Sequence, residues 1–118
     1  MIRPLRLEIL GKWFGVAYIN PDHVAWKGED LAGRVDPDRQ RILIREGQPL
    51  ESEQDTVLHE VIHAVDAAMS GEEDQELDEA QVTRLATGLL AVFKRNPGFT
   101  KWLLKSPPKN VDPQLSTD

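Results

Sequence analysis

Cysteine is absent from this 118-residue chain, which excludes disulfides and any thiolate metal ligand. Any metal held here would take imidazole and carboxylate donors, the donor set of catalytic rather than structural zinc. Long apolar runs are also missing. Glu8 and Lys12 interrupt the apolar stretches of residues 1–20, and no small-residue cleavage site follows. Neither a signal peptide nor a membrane span is therefore expected. Positive charge is outweighed by acidic residues: a net charge of −6 argues against a nucleic-acid or anionic-membrane partner, both of which need a basic footprint. Basic or neutral protein partners remain compatible. The expected setting is the cytoplasm of a microbe or of a phage-infected host cell.

The length suits one compact domain, residues 1–105, and an apolar content of 40% suffices for one hydrophobic core. Residues 106–118 are Pro-rich and polar and read as a flexible tail.

The first half has the pattern of strands and loops. Leu5, Leu7 and Ile9 alternate with Arg6 and Glu8, as in a half-buried strand. Trp13 to Ile19 is apolar, ends at the turn signal Asn20-Pro21-Asp22, and fits either a strand or a short helix. Gly33-Arg34-Val35 and Gln40 to Arg45 flank Asp36-Pro37-Asp38-Arg39, which predicts a hairpin with Pro fixing φ in the turn.

After Glu46 the period becomes helical. Ser52 is the expected N-cap of a first helix, with Glu53 and Asp55 favourable in its first turn. Leu58, Val61, Ile62 and Val65 form its apolar stripe, and Ser70-Gly71 ends it. An acidic loop, Glu72 to Leu77, leads to a second helix capped by Asp78. Its apolar face is Val82, Leu85, Ala86, Leu89, Leu90 and Phe93, and Asn96-Pro97-Gly98 stops it. Phe99 to Leu104 is expected to dock Trp102 and Leu103 on the core. The fold class is α+β: a twisted antiparallel or mixed sheet followed by two principal helices.

Two of the three histidines lie in His59-Glu60-Val61-Ile62-His63. On a helix the i, i+4 spacing stacks both imidazoles on one face, where they can grip a single ion. Glu60 is placed to reach a metal-bound water without being a ligand. A catalytic zinc usually takes three protein ligands, so a carboxylate is needed as the third. Glu79 shares the core-facing side of the second helix with Val82 and Ala86, and an inward carboxylate there is costly unless a cation meets it. Glu79 also fits an ordinary first-turn residue interacting with the helix dipole, in which case Glu76 or Asp66 becomes the third ligand.

His59-Glu60-x-x-His63, a short loop, then Glu79 followed by Val82, Leu85 and Ala86 resembles the gluzincin metallopeptidases. Within them the chain looks most like the small single-domain forms, the minigluzincins and the metallopeptidase-like proteins of phages and prophages. A more distant likeness is to the peptidase domain that cleaves phage or stress-response repressors. The resemblance spans roughly residues 30 to 97, and its specific part is the five-residue motif. It implies a zincin-like domain in which His59, His63 and Glu79 bind one Zn²⁺ per chain and Glu60 is the general base. Thermolysin-like gluzincins place an acidic residue four positions after the glutamate ligand to orient a histidine. Thr83 stands there in this chain, and Asp66 is the candidate substitute.

The activity so implied is that of a zinc-dependent endopeptidase acting on a peptide or protein. The expected bed for an extended substrate is the strand Arg41 to Arg45. Tyr18, His23 and Arg84 are the candidate oxyanion donors. The alternative is a zinc-binding regulatory or structural protein that retains the site with little or no proteolysis. A tail that lies in the cleft and restrains activity is a third arrangement.

Overall fold

The computed structural model describes residues 2–29, 31–71 and 75–108. It is α+β, a four-stranded mixed sheet followed by three helices. Strands β1 (Arg6–Ile9), β2 (Lys12–Ile19), β3 (Gly33–Asp36) and β4 (Arg41–Arg45) precede α1 (Leu50–Ser70), α2 (Glu79–Arg95) and α3 (Pro97–Leu103). A 3₁₀ turn, Val24–Trp26, lies between β2 and β3.

β1 and β2 form an antiparallel hairpin with Ile9 opposite Lys12. Its two turn residues, Leu10 and Gly11, have φ of 49° and 88°. Positive φ at both positions belongs to the mirror-image turns that match the twist of a two-residue hairpin. The segment Trp13 to Ile19, open between strand and helix by sequence, is therefore a strand.

The predicted hairpin at 33–45 is present as β3 and β4, with Asp36 opposite Arg41. Asp36 Oδ1 accepts the Arg39 N–H at 3.2 Å and steadies the turn. The sheet order is β1-β2-β4-β3, with β4 parallel to β2 and antiparallel to β3. This order corrects the expectation that a substrate lies along Arg41–Arg45. β4 has strands on both sides and offers no free backbone, and Ile42 and Ile44 are fully buried in the core. Of the two edge strands, β1 and β3, it is β3 that packs more closely on α1.

α1 crosses one face of the sheet. Ala64 joins Phe14, Val16, Ile42 and Ile44 in the core, and Val57, Val61 and Val65 pack against it. These positions recur at i, i+4, i+7 and i+8, one stripe of a 3.6-residue period. Ser52 does not cap this helix. The helix begins two residues earlier at Leu50, behind Pro49, whose C=O already accepts the Glu53 N–H at 2.9 Å. Gly71 ends it at φ 72° in the left-handed region, as expected of a C-terminal glycine.

α2 carries the predicted Asp78 cap in full. Asp78 Oδ1 accepts the Gln81 N–H at 2.8 Å, and Gln81 Oε1 accepts the Asp78 N–H at 2.9 Å, a reciprocal capping box. Val82 and Ala86 are fully buried, and α2 packs on α1. α3 departs from expectation: Trp102 is 68% exposed and Leu103 nearly half exposed. α3 touches only α2 among the described elements, anchored by the Thr100 hydroxyl on Phe93 O, so it does not reach the sheet. The acidic residues at 72–74 and most of the expected tail, 109–118, lie outside the described residues. No helix among the described residues is long and apolar enough to cross a membrane.

Candidate metal centre

α1 presents two faces at its middle. Val57, Val61 and Val65 face the sheet, while His59 and His63, one turn apart, face α2 across an open cleft. α2 enters this cleft at its first residue, Glu79. His59 Nε2 lies 3.0 Å from Glu79 Oε2, and His63 Nε2 lies 2.6 Å from Glu79 Oε1. The two Nε2 atoms are 3.2 Å apart, and the rings meet edge to face. His59, His63 and Glu79 form a group that can hold a metal ion, with ligand atoms all within 4.8 Å of one another. Among the described residues no fourth His or carboxylate joins them. Glu76 and Asp66, the rival third ligands, are outside the group.

Three electron-pair donors aimed at one point are difficult to satisfy with protons alone. A proton on each Nε2 would set two N–H groups against each other at 3.2 Å, whereas one cation meets all three donors.

Glu60, next to His59, turns to the sheet side of the same cleft. Its side chain is buried, and burial, reinforced by the negative charge of Glu79, pushes its carboxyl up to about 7. The wall beside it is β3. A Cβ on Gly33 would lie 2.6 Å from Thr56 Cγ2, 3.1 Å from Glu60 Cγ and 3.2 Å from Glu60 Oε2. Only glycine lets the edge strand approach α1 this closely, so Gly33 brings the strand's backbone alongside the carboxylate.

The ladder fixes which backbone groups are free. The Arg45 N–H donates to Ala32 O at 2.9 Å, in the same register that pairs Gly33 with Ile44. By the alternation of antiparallel pairs, Arg34 and Asp36 direct their amides to β4, and Gly33 and Val35 direct theirs outward. The cleft has a volume of about 640 Å³ and is lined by β3 residues, by Asp55, Thr56 and Glu60 of α1, and by the three candidate ligands.

Several sequence-predicted residues stand elsewhere. Tyr18 donates its hydroxyl to Pro4 O at 2.8 Å beneath the Arg3 guanidinium, in a separate apolar groove. His23 Nδ1 accepts the Ala25 N–H and caps the 3₁₀ turn. Arg84 is exposed on α2 and does not line the cleft. None of the three is an oxyanion donor in this arrangement. Asp66 touches neither imidazole; its Oδ2 accepts the Leu77 N–H at 2.7 Å, immediately before the α2 cap. It therefore acts on the approach to Glu79 rather than on a histidine. Sequence reasoning missed Gly33 and Thr56, whose roles follow from a contact between elements and leave no mark in spacing.

No family model, curated protein or solved structure matches this chain.

Proposed function

We propose that this protein is a zinc-dependent metallopeptidase of the gluzincin type, an endopeptidase that uses Glu60 as general base. The observation that carries this reading is the convergence of His59, His63 and Glu79 beside a buried glutamate in an open cleft. Donors held about 2.0–2.1 Å from one zinc ion at tetrahedral angles lie roughly 3.3 Å apart. The 3.2 Å and 3.0 Å separations at His59 approach that spacing, whereas His63 and Glu79, at 2.6 Å, stand closer than two zinc ligands would. A set of three protein ligands leaves the fourth position for water, the stoichiometry of catalytic zinc.

Zinc, when bound, would acidify a water and polarise the scissile carbonyl. The chain's own residues supply the rest. Glu60, buried in the cleft beside the three ligands, is placed to accept a proton and return it to the leaving amine. Gly33 and Val35 offer outward N–H and C=O groups on which an extended peptide can add as a strand. The substrate bed is thus β3, one strand removed from the one expected by sequence.

The test is zinc analysis and peptide-library cleavage on native protein, Glu79→Ala and Glu60→Gln. One zinc per chain is expected in the native protein and in Glu60→Gln, with binding lost or strongly weakened in Glu79→Ala. Cleavage is expected only in the native protein. Turnover by Glu60→Gln would sink the general-base assignment. Zinc without cleavage of any peptide would favour the binding-protein alternative.

A further inference from the structure

The flank of α2 beside its buried residues Val82 and Ala86 is apolar, yet it stays partly open and meets no other element among the described residues. Leu85, Leu89 and Val92 are each about 40–45% exposed and follow one another at spacings of four and three. Beyond the helix break at Asn96, Phe99 and Leu103 on α3 are also exposed. A stripe at this spacing is the seam by which helices pair with helices. Together with Trp102 and Leu104, these side chains expose on the order of 700 Å², against the ~800 Å² per partner of a standard stable interface.

Charge selects the partner and its direction. Asp78 lies in line with the stripe at the N-terminal end of α2, and Glu76 just precedes it. Arg95 and Lys101 stand at the other end, without an ion pair among the described residues. A parallel pairing of two α2 helices would stack like charges. An antiparallel pairing sets acid against base at both ends and opposes the helix dipoles. Acid at one end of the seam and base at the other are the self-complementary pattern that a two-fold axis requires.

We propose that this face is the interface of a two-fold homodimer in which the α2 helices pack antiparallel. Leu85 of one copy meets Leu89 of the other, Asp78 lies beside Arg95, and α3 covers the start of the partner's α2. Gly88 falls near the axis, and a Cβ there meets nothing within 4 Å inside the monomer. Glu79 and Thr83, which line the metal cleft, lie roughly 120–160° around α2 from the seam. Both clefts therefore stay open in the dimer, and the proposal stands independently of the peptidase reading.

The test is sedimentation equilibrium of the full chain, beside Leu85→Lys/Leu89→Lys and an oxidised Gly88→Cys. The native chain is expected at twice its monomer mass, falling to the monomer in the double-lysine variant with helix content unchanged by circular dichroism. Because the chain has no other cysteine, Gly88→Cys should cross-link to a dimer on oxidation. A native chain that stays monomeric to about 100 μM, well above a micromolar Kd, overturns the proposal, whatever else covers the stripe. So does a dimer that survives both lysines, or one that Gly88→Cys fails to cross-link.

Discussion

Glu60 concentrates the conflict between stability and chemistry in a single side chain. A carboxylate packed under an edge strand loses its hydration, and Glu79 adds a like charge nearby, so the neutral form is favoured in the folded, metal-free protein. Its ordinary value is 4.5 and its folded value is about 7. Between these the folded state binds more protons than the unfolded state, so stability falls as pH rises. The contribution is fully present below pH 4.5 and is lost on passing through about 7. Its size is on the order of 3 kcal/mol. Glu60→Gln keeps the shape and removes the charge. Urea unfolding of the chelated protein at pH 5 and pH 7.5 should show a smaller loss of stability in Glu60→Gln than in the native chain. Identical pH dependence in the two would mean that Glu60 is ionised at no cost and is not buried as described.

At the scale of elements, legibility in the sequence followed periodicity and failed where one element meets another. The α2 cap was readable because Asp78 and Gln81 act locally, three residues apart. The motif on α1 was readable because i, i+4 spacing determines a helical face. The β2–β4 pairing was not, because the chain makes β3 at the far edge before returning as β4, and no local signal encodes that order. Asp66 failed for the same reason. Its position three residues after His63 suggested a role on a histidine, yet its partner is a backbone amide across the loop. That partner makes it a brace for the entry of α2. Asp66→Ala leaves the Leu77 N–H unpaired in a part-buried site and should cost about 1–2 kcal/mol. Zinc affinity should fall roughly ten-fold, because Glu79 follows two residues after Leu77. Isothermal titration with zinc reads the second effect, and unchanged affinity would show that the capping box alone places Glu79.

For the molecule as a whole, the candidate centre joins two helices, α1 and α2, that also pack on each other. The core lies between α1 and the sheet, whereas α2 rests on α1 largely through Val82 and Ala86, and α3 hangs from α2. In a chain of 118 residues such a satellite layer has little apolar burial of its own. An ion bound to His59 and His63 on one helix and Glu79 on the other closes that layer with ligands from both. Free zinc at a hundred times its Kd should add about 2.7 kcal/mol to folding. For a domain of this size that corresponds to a Tm rise of roughly 10 °C. Calorimetry with and without a chelator measures it, and Glu79→Ala should shrink the rise while leaving the metal-free Tm close to native, because Glu79 is exposed. A Tm indifferent to zinc would instead mean that the two helices are held without an ion, and that the three side chains satisfy one another through their own hydrogen bonds.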